Sequence, residues 1–272
     1  MKVNPLVLIR GGGDLATGVA ARLHRVGFSV VILEVEQPLA VRRRVALAEA
    51  VYAGRVRIEE FEGVHAAGAA EVSPILDAGA IPVLVDERAV SLGELAPKVI
   101  VDARMRKAAS ELPRDAAELT IGLGPGFTAG VDCHAVVETR RGHRLGRVLW
   151  IGPAAPDTKT PEAVEGYAVD RVLRAPSPGV MRGLREIGTV IRRGEAVFAI
   201  DSATVRAPFD GALRGLLHDG LRVEAGMKVG DLDPRGDPRT CSEISDKALA
   251  VGGGVLEAVL SRADMRRALA GL

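Results

Sequence analysis

Gly11, Gly12 and Gly13 follow directly on the apolar run Leu6-Val7-Leu8-Ile9. Behind them Asp14 opens a stretch in which Leu15, Val19, Leu23 and Val26 recur at helical spacing up to Gly27. A strand that ends in a glycine turn and feeds a helix turns backbone N–H groups and a positive helix end toward an anion. Gly11-x-Gly13-x-x-Ala16 fits the dinucleotide fingerprint, with alanine in the last place. Glu34 closes the next apolar run, Val30-Val31-Ile32-Leu33, where a carboxylate would bond a ribose 2′-hydroxyl. Asp14 weighs against this. As the helix N-cap it would consume a donor and set negative charge where pyrophosphate would lie, leaving a merely structural turn as the competing reading. Arg42-Arg43-Arg44 either reach a 2′-phosphate, which would select NADP over NAD, or form the solvated face of a second helix.

Two further constellations have chemical potential. The loop 122–130 holds Gly122, Gly124, Gly126 and Gly130, more glycine than a plain connector needs, and reads as a second anion nest built on Gly124 and Gly126. Directly after it, Asp132, Cys133 and His134 gather a carboxylate, a thiol and an imidazole as catalytic candidates. On a strand Cys133 and His134 point to opposite faces, so a nucleophile–base pair is disfavoured, and a buried structural cysteine is the commoner case. Cys241, in a polar stretch, is expected to be exposed. Near the end, Ala248-Leu249-Ala250-Val251 precedes Gly252-Gly253-Gly254 and a helix-period run. This is the strand, glycine turn, helix grammar again, with Gly252 and Gly253 as binding candidates. If the three glycine loops meet at the carboxyl edge of one sheet, their N–H groups face one cavity suited to a polyanion.

The elements that would position these groups divide the chain. Residues 1–110 read as a Rossmann-like α/β domain on a parallel sheet. It has a second helix over 40–53, a short helix opened by Ser73-Pro74 and closed by Gly79, and strands over 81–85 and 99–101. Residues 111–166 extend it with a hairpin, 131–139 against 147–151, turning near Gly142. Residues 236–272 form the tail, expected to dock back on the first domain. Charge is nearly balanced, 36 Lys plus Arg against 35 Asp plus Glu, and aromatics are 3%, which argues against nucleic acid as a partner. Two cysteines make no disulfide framework or zinc motif, so no metal site is expected. No signal-like or membrane-length apolar run occurs, so the reading is a cytoplasmic protein with no membrane partner.

Residues 167–235 read as a separate domain, in which residues 172–234 contain an internal repeat at a constant offset of 32. Arg174-Ala175-Pro176 recurs as Arg206-Ala207-Pro208, and Arg182-Gly183-Leu184 as Arg214-Gly215-Leu216. Gly188, Gly194, Val197 and Asp201 recur as Gly220, Gly226, Val229 and Asp233. Two such copies of short strands and tight turns resemble the barrel-sandwich hybrid of biotinyl and lipoyl domains. The hairpin that would present the attachment lysine is Ile200-Asp201-Ser202-Ala203-Thr204, which has none, so neither biotin nor lipoate is expected.

Three segments together resemble one family: the run 8–20 around Gly11-Gly12-Gly13-Asp14-Leu15-Ala16-Thr17-Gly18, the run 122–134 ending in Asp132-Cys133-His134, and the run 245–257 around Gly252-Gly253-Gly254. Arg42-Arg43 with Glu49-Ala50-Val51-Tyr52 is similar to it too. The family is that of the selenium-dependent molybdenum hydroxylase system proteins, bacterial accessory factors. The resemblance implies a role in maturing or supporting such hydroxylases, with a hydroxylase or its maturation machinery as partner, and implies no settled reaction. The leading expectation is an accessory factor binding a phosphate-bearing small molecule: a nucleotide such as NAD(P), a molybdopterin-type cofactor, or activated selenium or sulfur. The alternatives are a stand-alone NAD(P)-dependent oxidoreductase and a non-catalytic scaffold, and self-association into a homo-oligomer stays open.

Overall fold

A computed structural model describes residues 4–105, 111–157 and 170–270. The chain forms two compact units: residues 1–38, 47–157 and 244–272 make the first, and residues 39–46 and 158–243 the second.

The first unit is α/β. Its elements run β1 (Leu6–Arg10), α1 (Asp14–Arg25), β2 (Ser29–Glu34), α2 (Ala50–Ala53), β3 (Arg55–Ile58), β4 (Phe61–Ala66), α3 (Val72–Asp77), β5 (Ile81–Val85), α4 (Leu92–Leu95) and β6 (Val99–Asp102). Then follow β7 (Leu119–Leu123), β8 (Thr128–Ala129), β9 (Ala135–Val137), β10 (Val148–Leu149) and β11 (Gly152–Pro153). Nine of these strands form one mixed sheet in the order β10-β9-β7-β6-β1-β2-β5-β4-β3. Neighbours from β4 through β9 pair parallel, and the edge pairs β3–β4 and β9–β10 are antiparallel. Val7 and Ile9 pack into one core and Leu8 into the core on the other face, so β1 is buried on both sides and reads as an unbroken apolar run.

The tail contributes α5 (Asp246–Leu260) and α6 (Ala263–Ala270). The expected strand at 248–251 and the glycine turn after it do not form: Gly252, Gly253 and Gly254 lie inside α5. Ser245 caps that helix, its Oγ accepting from the Ala248 N–H at 3.1 Å, so the helix starts before the apolar run. The glycines let α5 approach closely. A Cβ on Gly252 would stand 2.8 Å from the Gly18 carbonyl carbon of α1, and one on Gly254 would stand 2.8 Å from Val137 Cγ1.

Other expectations need correction. Residues 40–53 are not one helix but 3-10 turns at Arg43–Val45 and Leu47–Glu49, followed by the single-turn α2. The backbone there is spent elsewhere, the Ala48 N–H on the Gly12 carbonyl and the Leu47 N–H on Thr17 Oγ1. Asp14 is the first residue of α1 rather than its cap; Gly13 takes the cap position, and the Asp14 carboxylate accepts the Leu15 N–H. Ser73 and Pro74 sit within the first turn of α3, where the missing proline N–H is harmless.

The second unit is all β: β12 (Val172–Arg174), β13 (Gly179–Gly183), β14 (Val190–Ile191), β15 (Ala196–Ile200), β16 (Ala203–Arg206), β17 (Gly211–Leu216), β18 (Arg222–Val223) and β19 (Lys228–Asp233). They form two four-stranded sheets, β12-β19-β17-β14 and β16-β15-β13-β18. The 32-residue offset carries each sheet order onto the other, so each sheet takes two strands from either copy. Hydrogen bonds repeat with it: the Met181 N–H donates to Leu221 O and the Leu213 N–H to Thr189 O, both at 2.9 Å. Arg174 Nη1 donates to Gly226 O at 2.7 Å and Arg206 Nη1 to Gly194 O at 3.0 Å.

Candidate functional site at the carboxyl edge of the sheet

Strands β2 and β5 lie to one side of β1, and β6, β7 and β9 to the other. Chain order therefore reverses between β1 and β6, and an open α/β sheet binds ligands in the crevice beyond the carboxyl ends of two such strands. The strands end here on Arg10 and Asp102, register partners, and Gly11 follows Arg10 directly.

The three glycines of the turn do different jobs. Gly11 has φ +90°, open to glycine at little cost, and its N–H donates to Leu33 O at 2.7 Å. A Cβ there would also stand 3.2 Å from Arg104 Cα. Gly12 is pressed against the chain itself, since a Cβ would lie 2.8 Å from Ala48 N. Its N–H donates to Glu34 Oε2 at 2.6 Å. Gly13 alone faces open space: a Cβ would meet nothing within 4 Å. Ala16, the last fingerprint position, is buried in the core between α1 and the sheet.

Glu34 is thus engaged by the turn. Its second oxygen accepts the Val35 N–H at 2.8 Å. Burial raises the pKa of its carboxyl, while the two backbone donors and the nearby Arg104 guanidinium pull the other way. A ribose hydroxyl would have to share this carboxylate with the Gly12 N–H.

In the loop 122–130 the expected nest is largely filled. Gly122 belongs to β7, and the Phe127 ring lies against it, a Cβ there coming within 2.7 Å of Phe127 Cβ. The Gly124 N–H donates to Val137 O and the Gly130 N–H to Cys133 O. Gly126, with φ +105°, is exposed. Asp132 closes the loop, its Oδ2 accepting the Thr128 N–H at 2.7 Å.

Asp132, Cys133 and His134 are each held by separate partners. Cys133 is 3% exposed, its Sγ donating to Ala135 O at 3.1 Å, and burial pushes its thiol up to about 11. His134 Nδ1 accepts the Thr120 N–H at 3.1 Å, and burial, then Arg114 and Arg262, lower the imidazole's pKa. Cys241 is not on an exposed loop: it is fully buried at the end of the 3-10 turn Pro238–Cys241, and burial raises its thiol as well. Against an ordinary thiol near ~8.5, Cys133 holds on the order of a hundredth of the thiolate or less. Titration of the native protein with a chromogenic disulfide at pH 8 is therefore expected to show Cys133 reacting at least ~100-fold slower than after denaturation, and Cys241, being fully buried, slower as well. One thiol reacting at the denatured rate in the native protein would refute the assignment.

The remaining candidates lie apart from the turn. Gly252 and Gly253, helical in α5, form no ligand loop, so the three-loop cavity reduces to the turns after β1 and β7. Arg42 and Arg43 are neither a solvated helix face nor a 2′-phosphate site. Within the second unit Arg42 Nη2 donates to the Thr240 and Glu243 carbonyls, each at 3.3 Å, and Arg43 Nε to Leu216 O at 2.9 Å. What the sequence reading missed is the charge beside the turn. Arg10 is 2% exposed, its Nη2 donating to Glu87 O at 2.9 Å and its Nη1 lying 3.6 Å from Asp102. Arg104 clasps the same Asp102 carboxylate, Nε donating to Oδ1 at 3.0 Å. An arginine closing an apolar strand immediately before a glycine turn was the available signal.

Among the described residues no three His, Cys, Asp or Glu come together as a metal would require, and no helix is long and apolar enough to cross a membrane. No family model matches the chain. It is 46% identical over 255 residues to the uncharacterized protein YqeB of Escherichia coli (strain K12), an alignment covering 94% of this chain and 47% of that protein. The chain thus spans about half the length of the curated relative it matches. Solved structures similar to it include an aspartoacylase family protein from Mesorhizobium loti, 10% identical with TM-score 0.25 over 84% of this chain and 85% of that one. Another is a succinylglutamate desuccinylase/aspartoacylase from Rhodobacter sphaeroides, 16% identical with the same TM-score and coverage. Likenesses at that level define neither a shared fold nor an activity.

Proposed function

We propose that the first unit is a Rossmann-like module binding a phosphate-bearing small molecule, a nucleotide foremost, at the turn of Gly11, Gly12 and Gly13. We further propose that the chain acts as an accessory or maturation factor for selenium-dependent molybdenum hydroxylases. Gly13 carries the ligand reading: it is the fingerprint glycine meant for close ligand approach, and it faces open space at the amino end of the 12-residue α1. The parallel strands support it: setting aside β4, which pairs parallel beyond β5, the run β5-β2-β1-β6-β7-β9 has the order 3-2-1-4-5-6 of dinucleotide-binding sheets. The hydroxylase role rests on the family resemblance of the three glycine-rich segments.

The second unit is proposed as a barrel-sandwich hybrid used for protein docking, since the β15–β16 hairpin offers no lysine for biotin or lipoate. A stand-alone NAD(P) oxidoreductase is less well supported, because Cys133 is held protonated and His134 Nδ1 is tied to Thr120.

Calorimetry with ADP and NAD tests the ligand reading. Gly13→Val is expected to weaken binding at least ~10-fold while costing stability only the loss of a favoured helix cap, about 1 kcal/mol, since a Cβ there meets nothing within 4 Å. Glu34→Gln should weaken a nucleotide more than inorganic phosphate. Unchanged nucleotide affinity in both variants rejects the site.

A further inference from the structure

Arg10 and Arg104 stand at the mouth of the crevice between β1 and β6, with side chains 2% and 13% exposed. One buried carboxylate, Asp102, lies between them, at 9% exposure. Two guanidiniums share this one buried carboxylate, with Glu34 acting on Arg104 from further off. Compensation comes also from Glu111, whose carboxylate is 47% exposed and reaches in from outside the sheet. A single oxygen, Glu111 Oε2, takes both cations: Arg10 Nη2 at 3.2 Å and Arg104 Nη1 at 2.9 Å. Arg10 retains a buried donor, Nη1, with no hydrogen-bond partner, although buried guanidinium nitrogens are ordinarily satisfied. Arg10 and Asp102 also line a small, partly open cavity of about 20 Å³ with Thr120, Asp132 and Cys133.

We propose that Arg10 and Arg104 form an anion subsite for a phosphate group of the ligand, which competes for it with the Glu111 carboxylate. The proposal rests on the reading of this edge as a phosphate-ligand site, and it adds where the charge goes and what must leave. The subsite adjoins the glycine turn, since Arg104 Cγ is 3.1 Å from where a Cβ on Gly11 would be. Asp102 holds the Arg104 fork from behind, accepting Nε at 3.0 Å, Nη2 at 2.5 Å and the backbone N–H at 3.2 Å, which leaves Nη1 turned to the Glu111 carboxylate. Glu111 is the weak partner: a half-exposed carboxylate competes with water for its cations and gains little from them. A phosphate brings up to two charges and more acceptor oxygens to the same two forks, which suits displacement of a carboxylate.

Calorimetric titration of the full chain with inorganic pyrophosphate decides it. Glu111→Gln keeps the side chain's size but removes the competing charge, and is expected to bind pyrophosphate about three- to ten-fold more tightly than the parent. Arg104→Gln should bind at least ~10-fold more weakly, with Arg104→Lys between the two, since a lysine keeps the charge but not the fork. Melting temperatures identify a variant that fails to fold; Arg104→Lys then stands in for Arg104→Gln. Pyrophosphate affinity unchanged or weakened in Glu111→Gln overturns the proposal, as does the absence of pyrophosphate binding in both the parent and that variant. The two readings fail separately. Loss of ADP binding in Gly13→Val with no effect of Glu111→Gln keeps the glycine turn and removes this subsite. Tighter pyrophosphate in Glu111→Gln without any adenosine nucleotide binding keeps the subsite and removes the nucleotide.

Discussion

Gly254→Val is expected to destabilise the protein by at least ~3 kcal/mol, whereas Gly253→Ala, one residue earlier, should stabilise it by up to ~1 kcal/mol. All three consecutive glycines lie in α5, where each costs helix propensity relative to alanine. Only two are held in place by packing. A Cβ on Gly254 would press on the Gly146 carbonyl and stand 2.8 Å from Val137 Cγ1, and neither the loop backbone nor the strand side chain can withdraw without opening the core. Gly252 is similarly fixed by the Gly18 carbonyl group of α1, which an alanine would meet at 2.8 Å from its carbon. Gly253 faces outward, with nothing within 4 Å of an added methyl. The opposite signs make the test independent of any absolute scale. Thermal or denaturant unfolding followed by the fluorescence of Trp150, the sole tryptophan and a residue of the first unit, reads both. If Gly252 and Gly253 formed a ligand-binding turn instead, Gly253→Ala would weaken ligand binding and gain no stability. Equal effects of the Gly253 and Gly254 substitutions would therefore sink the helical assignment.

That contrast also marks where the sequence is informative. The runs Leu6-Val7-Leu8-Ile9 and Val30-Val31-Ile32-Leu33 announce strands buried on both faces, and they become β1 and β2 because such composition has no other stable setting. The same local grammar misleads at 248–254. Apolar residues followed by glycines fit a strand and turn as well as a helix, and the choice is made by Ser245 capping ahead of the run and by a partner helix 230 residues earlier in the chain, neither of which periodicity reports. The hairpin of β3 and β4 escaped for the opposite reason: Arg55-Val56-Arg57-Ile58 is short and half exposed, with a weak pattern. Residues 40–53 carry an apolar spacing suggestive of a helix, yet their backbone donors are claimed by Gly12 and Thr17. The repeat at residues 172–234 was legible because a constant offset survives any uncertainty over single strands, and the paired sheets keep it apart from a bulge at Leu213–Gly215 in β17. At the candidate site the glycines were legible from their spacing. The arginines were not, because Arg10 and Arg104 meet only when β1 and β6 become neighbours across the sheet.

Asp102→Ala should accordingly be among the costliest single changes at this site, about 3–5 kcal/mol, although it removes only a short polar side chain. The Asp102 carboxylate accepts from the Arg104 backbone N–H and Nε, and its Oδ2 lies 3.6 Å from Arg10 Nη1. Without it the Arg10 guanidinium, 2% exposed, keeps, among the described residues, the Glu87 carbonyl and the half-exposed Glu111 as hydrogen-bond partners. A buried lysine or carboxylate in that position would relieve the cost by changing protonation; an arginine cannot at accessible pH. Asp102→Asn should fare little better, since an amide restores acceptor geometry without the charge. The reverse deletion, Arg10→Met, is expected to cost less, because Asp102 still has the Arg104 fork to satisfy it. Combining Arg10→Met with Asp102→Ala should then recover much of what Asp102→Ala loses, a coupling of about 1–3 kcal/mol between groups that share one network. Denaturant midpoints read from Trp150 give all four corners of the cycle. Simple additivity of the two single changes would mean that Arg10 is not held by Asp102, and the charge balance on which the Glu111 displacement depends would have to be redrawn.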